Sequence, residues 1–267
     1  MKVGIVGCGF IGTQLALAIQ KRFGGSVRLI GISDSRPEQA LRLSRRLHPP
    51  VPLLSLSEIV RRSQLVIEAA SPQAVRELLP RVVAQRKALL VMSSGGLLGQ
   101  RKLLERAVRN KIPLYVPSGA VAGLDGLKGA AAGQLRSVTL TTRKPPAAFL
   151  GAPGAARFQK KLKKLREPMV LFKGSADRAA AAFPQNINVA ATLALAGIGP
   201  RRTKVRIIAD PTVRSNLHEV EVVGSFGRFQ VRIENRPSAE NPKTSRLAVQ
   251  SAIATLEKIF QSLQVGT

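Results

Sequence analysis

The sequence predicts an α/β protein with a doubly wound parallel sheet and a second, α+β domain whose sheet is largely antiparallel. Three features of the 267-residue chain indicate this arrangement. Short apolar runs alternate with helical stretches over residues 1–118, which is typical of parallel strands joined by crossover helices. Residues 119–240 begin with a Gly- and Ala-rich stretch and continue with several closely spaced strand patterns. Residues 241–267 contain one amphipathic helix, "TSRLAVQSAIATLEKIFQSL", which we expect to complete the first domain.

The first element is the opening stretch "VGIVGCGFIG", residues 3–12. An apolar run is followed by Gly7, Gly9 and Gly12 in the pattern G-x-G-x-x-G, and then by a helical stretch that ends near residue 23. In a Rossmann-type fold the first glycine permits the tight turn, the second lets the backbone approach a pyrophosphate, and the third lets helix and strand pack closely. The free N–H groups at the start of the helix suit a bound phosphate. The stretch therefore predicts a Rossmann-type dinucleotide site.

The same stretch has a second interpretation, as a secretory signal peptide with one positive charge, Lys2, before its apolar core. A signal peptide normally carries more positive charge there, and glycine is a poor occupant of its core. The next strand, "VRLIGISD", ends at Asp34, at the distance of about 20 residues where a carboxylate holds a ribose 2′-hydroxyl. Asp34 also suits the cap of the next helix, and both roles stay open. We predict that these residues bind the dinucleotide: Gly7, Gly9, Phe10, Ile11, Gly12 and Asp34.

The other elements of the first domain follow from apolar runs and turn signals. Strands are predicted at "PLLSL", "QLVIEAAS", "ALLVMSS" and "PLYVPSG", which are residues 52–56, 64–71, 88–94 and 113–119. Ser71 followed by Pro72 indicates the start of a helix that ends near Gln85. The glycine pair at 95–96 marks the turn before the helix "LLGQRKLLERAVRN".

The second domain is predicted to contain a long strand, a helix and three antiparallel strands. The strand is "LRSVTLTTRKPP", and the helix is "FPQNINVAATLALAG", which begins near Pro184 and ends at Gly197. The segments "KVRIIAD", "HEVEVVGS" and "GRFQVRIEN" follow as the antiparallel strands. A tight turn at "SFG" joins the last two of them.

Alternation along the hairpin predicts which side chains are covered. His218 shares the inward face of its strand with Val220, whereas Glu219 and Glu221 face outward, opposite arginines of the next strand. We therefore expect these carboxylates to be surface partners and not an acid–base pair. A lone histidine on a covered face is usually a core residue, so position alone favours a structural role for His218 and leaves a catalytic one open. His48, in the loop "RLHPP", is the weaker candidate.

Composition narrows the class of protein. Hydrophobic residues make up 45% of the chain, and no apolar run reaches the roughly 20 residues needed to cross a bilayer. The single cysteine, Cys8, excludes an internal disulfide and is compatible with a reducing compartment. One cysteine and two histidines cannot build a structural zinc site of the usual kind. We therefore expect a cytoplasmic protein without a membrane segment or a metal site.

The charge balance is unusual for a globular protein. There are 42 Lys and Arg against 15 Asp and Glu, which gives a net charge of +27. Such a charge attracts polyanions, and basic clusters occur at residues 42–47, 160–166 and 200–206. The chain has no Trp and one Tyr, and its nine Phe are not interleaved with these clusters as a base-stacking surface requires. We therefore expect a broadly basic surface and no specific nucleic-acid site.

Seven motifs are distributed along nearly the whole chain. They are "GCGFIG", "EAAS", "PSGAVAGLDG", "TRKPP", "FPQNINVAATLALAG", "NLHEVEVVGSFG" and "NPKTS". This ordered set resembles the L-aspartate dehydrogenase family. The resemblance implies a homodimer that oxidatively deaminates L-aspartate with NAD or NADP, giving iminosuccinate and then oxaloacetate and ammonia. The family also catalyses the reverse amination, and the imine can enter NAD biosynthesis.

The resemblance also implies roles for particular residues. His218 lies in the N-x-H stretch and matches the family's active-site histidine. The alanine and asparagine that contact the nicotinamide match Ala122 and Asn188, and Ala120 and Asn186, two residues away, are the alternatives. An imidazole with a pKa near ~6.5 suits a base that removes the ammonium proton of the substrate or activates water on the imine. Both of these steps stay open.

Cationic residues and surface charge leave further questions open. Arg143 and Lys144 are candidates for binding the two substrate carboxylates, and Arg36 tolerates a 2′-phosphate, so NAD and NADP both remain. The net charge of +27 is higher than the resemblance leads us to expect. An additional anionic partner therefore stays open. Two other functions also remain. One is a dehydrogenase of the same two-domain plan acting on another amino or hydroxy acid, and the other is a non-catalytic protein that binds dinucleotide or RNA.

Overall fold

The computed structural model describes residues 1–184, 187–236, 238, 244–263 and 265–266. The chain divides into two compact units. The first comprises Met1–Pro117 and Val249–Gln264, and the second comprises Ser118–Ala248 and Val265–Thr267. The described strands form two five-stranded sheets, one in each unit.

The first unit is built on a parallel sheet. Its strands are β1 (Lys2–Val6), β2 (Arg28–Ser33), β3 (Leu65–Glu68), β4 (Ala88–Val91) and β5 (Leu114–Tyr115). Its first five helices are α1 (Phe10–Phe23), α2 (Pro37–Arg46), α3 (Leu56–Arg62), α4 (Pro72–Ala84) and α5 (Arg101–Arg109). The strand order is β2-β1-β3-β4-β5, and all four neighbouring pairs are parallel in the described part of the chain. This is a doubly wound order, which confirms the predicted α/β class.

The second unit contains the other sheet and, among its described residues, four α-helices and the first residues of the last helix of the chain. Its strands are β6 (Leu135–Lys144), β7 (Met169–Ser175), β8 (Lys204–Ala209), β9 (Asn216–Gly224) and β10 (Gly227–Asn235). Its helices are α6 (Leu124–Ala131), α7 (Gln159–Leu162), α8 (Ala176–Ala182) and α9 (Asn188–Ala196). The strand order is β10-β9-β6-β8-β7. Only the pair β6–β8 is parallel among the described strands of this sheet, so the sheet is largely antiparallel, as predicted.

The last helix is α10 (Arg246–Phe260), and its residues from Val249 onward belong to the first unit. Ala252 and Leu256 are fully buried in an apolar cluster of that unit. The ring of Phe260 meets the ring of Phe23 edge to face, with centroids 5.2 Å apart. Among the residues that the structure describes, no helix is both long and apolar enough to cross a membrane.

Helices cover both faces of the parallel sheet. Val3 and Ile5 of β1 belong to one apolar cluster, together with residues of α1, α2 and α10. Val66 and Leu89, on β3 and β4, belong to a second cluster with residues of α3, α4 and α5. This two-sided burial is typical of parallel sheets, and it leaves the carboxyl edge of the strands as the surface where ligands bind.

The strand predicted at 52–56 is wrong. Leu53 makes only an isolated bridge to Ile32, and α3 begins three residues later. The hydroxyl of Ser55 accepts the N–H of Glu58 at 3.2 Å, and the Glu58 carboxylate accepts the N–H of Ser55 at 3.1 Å. This reciprocal capping box starts a helix inside the apolar run that suggested a strand.

Two other predicted strands differ from the structure. The strand expected at 113–119 is reduced to Leu114–Tyr115, because Pro113 and Pro117 have no N–H to donate to a sheet. The segment 204–210 was expected to be antiparallel, but β8 runs parallel to β6. A crossover containing β7, α8 and α9 connects these two strands, and β7 is not predicted by the sequence pattern.

The helix expected from about Pro184 begins at Asn188 as α9. Gln185 and Asn186 lie outside the described residues. The predicted end is correct, because α9 stops at Ala196 and Gly197 follows it.

The hairpin of β9 and β10 has the predicted faces. Val220 and Val222 are fully buried, whereas Glu219 and Glu221 lie on the other face and are partly exposed. The Arg228 guanidinium contacts the Glu221 carboxylate at 3.2 Å. These carboxylates are therefore surface partners, as the alternation predicts.

Candidate functional site

The glycine turn of the first unit follows β1 at the carboxyl edge of the sheet. Gly7 has a φ of +99°, a conformation that only glycine adopts readily. A side-chain carbon at Gly12 would collide with the carbonyl oxygen of Gly7, so glycine at this position lets α1 pack against the turn. A carbon added at Gly9 would have no described atom within 4 Å. The turn is therefore tightly packed at Gly7 and Gly12, and the space beside Gly9 is open to a ligand.

The open side of this turn is the N-terminus of α1. The first N–H groups of a helix have no partner within the helix, and Gly9, at the N-cap, has no side chain that could cap them. The first turn begins with Phe10 and Ile11 and contains no acidic residue. No acidic side chain of the helix itself therefore opposes the partial positive charge of its N-terminal end. These features fit the pyrophosphate of a dinucleotide.

Asp34 lies beside the glycine turn. One carboxylate oxygen accepts the backbone N–H of Cys8 at 2.7 Å, and the other accepts the backbone N–H of Arg36 at 2.9 Å. Each oxygen keeps a second lone pair with which it can accept a ribose hydroxyl. Burial, assisted by the negative charge of Asp34, raises the pKa of the Cys8 thiol to about 12. The thiol is therefore protonated, and it is buried within the turn.

A buried glutamate, which the sequence analysis missed, organises the neighbouring loops. Glu68 ends β3 and is fully buried. Its carboxylate accepts the N–H groups of Ala70, Ser71 and Ser93 at 2.8–2.9 Å, and the Ser93 hydroxyl at 2.8 Å. Burial raises its pKa, and these four hydrogen bonds oppose that rise. Glu68 therefore ties together the loops that follow β3 and β4, at the same edge as the glycine turn.

In the second unit, His218 is held by a residue of the neighbouring strand. His218 on β9 is directly opposite Thr142 on β6, and both residues are buried. The Thr142 hydroxyl and His218 Nδ1 are 3.0 Å apart, with the direction of donation set by the tautomer. Burial, and then the positive charge of Lys144, lower the pKa of His218 to about 3. The imidazole is therefore neutral at pH 7, and Thr142 fixes the orientation of its ring.

The two cations predicted to bind substrate carboxylates lie on opposite faces of β6. Arg143 contacts the Asp210 carboxylate at 3.2 Å and the Glu219 carboxylate at 3.7 Å. Lys144 lies on the face of His218, and burial lowers its pKa to about 8. Only Lys144 therefore shares a surface with the histidine.

Ala122 precedes helix α6, and Asn188 is the first residue of helix α9, which packs against α6. Both residues are exposed. The segment containing Ala120 is fixed by Asn235, a residue that the sequence analysis missed. The Asn235 amide donates to the Ala120 carbonyl at 2.9 Å and accepts the Ser245 hydroxyl at 2.6 Å. Among the described residues, no group of three or more His, Cys, Asp and Glu is arranged to hold a metal ion.

Two family models match the chain in consecutive parts. The aspartate dehydrogenase C-terminal model matches residues 125–259. The NAD-binding domain model of homoserine dehydrogenase matches residues 7–117. The NAD-binding match ends at residue 117, where the first segment of the first unit ends, whereas the C-terminal match also includes residues 249–259, which belong to the first unit.

Solved structures repeat the same fold. The aspartate dehydrogenase of Thermotoga maritima is 27% identical and has a TM-score of 0.75, and the match covers 100% of this chain and 99% of that one. A homoserine dehydrogenase from Thiobacillus denitrificans is 13% identical with a TM-score of 0.62, over 97% of this chain and 73% of that one. The second likeness concerns the fold alone.

Full-length relatives carry a consistent name. The L-aspartate dehydrogenase of Methanosarcina barkeri is 46% identical, and the match covers 100% of both chains. The L-aspartate dehydrogenase of Bradyrhizobium diazoefficiens is 40% identical over 100% of this chain and 94% of that one. The resemblance seen in the sequence motifs is thereby confirmed, and the chain belongs to the L-aspartate dehydrogenase family.

Proposed function

We propose that this protein is an NAD(P)-dependent L-aspartate dehydrogenase. It oxidises L-aspartate to iminosuccinate, which takes up water and releases ammonia to give oxaloacetate. The observation that carries the proposal is the full-length identity of 46% to a relative of that name. The buried pair of His218 and Thr142, together with the open glycine turn, supplies chemistry that this reaction needs.

The two halves of the chain divide the work in this proposal. Residues 1–118, completed by 241–267, bind the dinucleotide, and residues 119–240 hold the substrate. The dinucleotide-binding residues are Gly7, Gly9, Phe10, Ile11, Gly12 and Asp34, with Ala122 and Asn188 at the nicotinamide. Support for the first six comes from the geometry of the turn and from the position of Asp34 beside it. Support for the last two comes from family membership.

His218 is the acid–base residue of the proposed reaction. A dinucleotide held at the glycine turn would supply the acceptor for the hydride that leaves the Cα of aspartate. Hydride leaves readily only from the neutral amine, so the ammonium must first lose a proton. A neutral imidazole can take that proton at the ring nitrogen not engaged by Thr142, or can activate the water that adds to the imine. Its lowered pKa of about 3 makes it a weaker base than an ordinary histidine until a bound ligand changes its surroundings. Either role requires the orientation that Thr142 gives to the ring.

Both cofactors fit the residues after β2. Asp34 suits the two hydroxyls of the ribose in NAD, and Arg36, two residues further on, is exposed and suits the 2′-phosphate of NADP.

Two alternative functions predict different results in the same assay: a dehydrogenase acting on another amino or hydroxy acid, and a non-catalytic protein that binds dinucleotide or RNA. A better rate with an uncharged amino acid favours the former, and dinucleotide binding without turnover favours the latter.

We propose in addition that the enzyme is a cytoplasmic homodimer, which is supported by family membership and by the lone buried thiol. Light scattering on the purified protein should give twice the mass of the chain. A mass equal to one chain at micromolar concentration would contradict the dimer.

We propose that any association with nucleic acid is nonspecific. The surface is strongly basic, but Phe23, Phe149 and Phe183 are buried, and the exposed Phe226 lies outside the basic clusters of residues 42–47, 160–166 and 200–206 in the sequence. Purely electrostatic binding of this kind weakens steeply with salt.

Replacing Gly9 with Ala should separate dinucleotide binding from folding. The new carbon meets no described atom within 4 Å, so the melting temperature should not change. It fills the space through which the pyrophosphate approaches, so the affinity for NADH, measured by calorimetry, should fall about tenfold or more. Gly25→Ala, also in open space, is the matched control and should leave both quantities unchanged. Full NADH affinity in Gly9→Ala would remove Gly9 from the site.

Replacing His218 with Ala should abolish turnover and leave cofactor binding intact. Wild-type protein should reduce NAD or NADP when L-aspartate is added at alkaline pH, as followed by the absorbance of the reduced nicotinamide. The variant should lose about 10²–10⁴-fold in kcat, the usual contribution of a general base, and should keep its NADH affinity. His48→Ala is the control, because His48 is exposed. Wild-type turnover in His218→Ala would exclude the imidazole from the chemistry.

A further inference from the structure

The proposed substrate carries two carboxylates, and the second unit must offer a cation near His218 to receive one of them. We propose that Lys144 binds a carboxylate of the substrate beside His218, and that Arg143 takes no part in binding. This inference rests on the proposed function and specifies one residue of its substrate site.

The register of the sheet sets which side chains share the face of His218. The pairing of β6 with β8 is continuous from Thr139 to Lys144, without a bulge. Thr142 and Lys144 therefore point to the same side, and Thr142 is directly opposite His218. Diagonal neighbours on one face of a sheet are about 7–8 Å apart, within reach of a long side chain. The Lys144 ammonium can thus approach a ligand held at the imidazole.

The same alternation places Arg143 on the opposite face of β6, where it contacts two carboxylates of the protein. Its guanidinium lies between the carboxylates of Asp210 and Glu219, at 3.2 Å and 3.7 Å. Asp210 is 3% exposed and depends on this contact for charge balance. A substrate carboxylate would have to displace a buried partner on the face opposite to His218.

The electrostatics of the face favour an anion next to Lys144. On the neighbouring strands, His218 is the titratable group that shares this face, while Val205, Ile207 and Ala209 of β8 are apolar there. Helix α9 contains no ionisable residue, and helix α6, which lies against Phe229 and Val231 on this face, carries Asp125 and Lys128, both of which are exposed. Burial lowers the pKa of Lys144 to about 8, and its charge contributes to the low pKa of His218. A bound carboxylate would offset that charge and so make the imidazole a stronger base when substrate is present.

Succinate, a dicarboxylate without an amine, is the probe that tests this inference. Its binding to the full-length protein with NADH present is measured by calorimetry for wild type, Lys144→Met, Lys144→Arg and Arg143→Met. We expect Lys144→Met to lose about tenfold or more in affinity, the scale of one hydrogen bond to a charged group. Lys144→Arg keeps the charge and should bind succinate more tightly than Lys144→Met. Arg143→Met should change the affinity by less than about threefold.

The pH dependence gives a second, independent readout. The ammonium of Lys144 is charged below its pKa of about 8, so wild-type affinity for succinate should be constant between about pH 6.5 and 7, where both carboxylates of succinate are ionised, and should fall as the pH rises through 8. In Lys144→Arg this fall should disappear, because a guanidinium stays charged. The KM of Lys144→Met for L-aspartate should rise while its NADH affinity stays unchanged.

Three results would overturn the inference: no succinate binding by wild type, unchanged binding in Lys144→Met, or a loss in Arg143→Met as large as in Lys144→Met. The proposed function fails separately, if wild type reduces neither NAD nor NADP with L-aspartate. An active wild type with an unaffected Lys144→Met therefore rejects the role of Lys144 alone.

Discussion

One hydrogen bond across two strands fixes the chemistry of the second unit. Thr142 and His218 face each other in the register of β6 and β9, and their side chains meet at 3.0 Å on the covered face. Because this contact engages one ring nitrogen, the other is the one available to a substrate. A slip of one residue in this register would turn His218 to the outer face, among the carboxylates. The pairing of these two strands thus decides whether the imidazole can act at all.

In the first unit, the proposed dinucleotide site is formed by backbone groups more than by side chains. Gly7, Gly9 and Gly12 bring a helix end to the carboxyl edge of the sheet, where its N–H groups are directed outward. Glu68 performs the complementary task by holding two neighbouring loops through four hydrogen bonds. A buried carboxylate in this position is costly unless it is satisfied in this way, and its four donors meet that requirement.

Much of this could be predicted from the sequence because it depends on short-range pattern. The glycine spacing predicts the turn, and the period of two predicts the covered face of His218. The same period places Arg143 and Lys144 on opposite faces of β6. In contrast, the partnership of Thr142 with His218 joins positions 76 residues apart in the chain. Such a contact depends on strand register, which the sequence pattern alone does not specify.

Other differences between the predicted and the observed elements occur where capping, a bulge or a distant hydrogen bond determines the structure. The capping box at Ser55 and Glu58 starts a helix within a run that alternation assigned to a strand. Strand β7 lacks a regular alternation because its pairing with β8 contains a bulge between Val170 and Phe172. Asn235 ends β10 and bonds to a carbonyl 115 residues away, which no local motif indicates.

The central claim is that His218 is a neutral imidazole held in one orientation, and the most direct test is its ¹⁵N NMR titration. The chain has two histidines, so a His48→Gln variant isolates the signal of His218. The account predicts a single neutral tautomer at pH 7 and no protonation until the pH approaches the depressed pKa of about 3. A ring that exchanges between tautomers and titrates near the ordinary value of about 6.5 would contradict it.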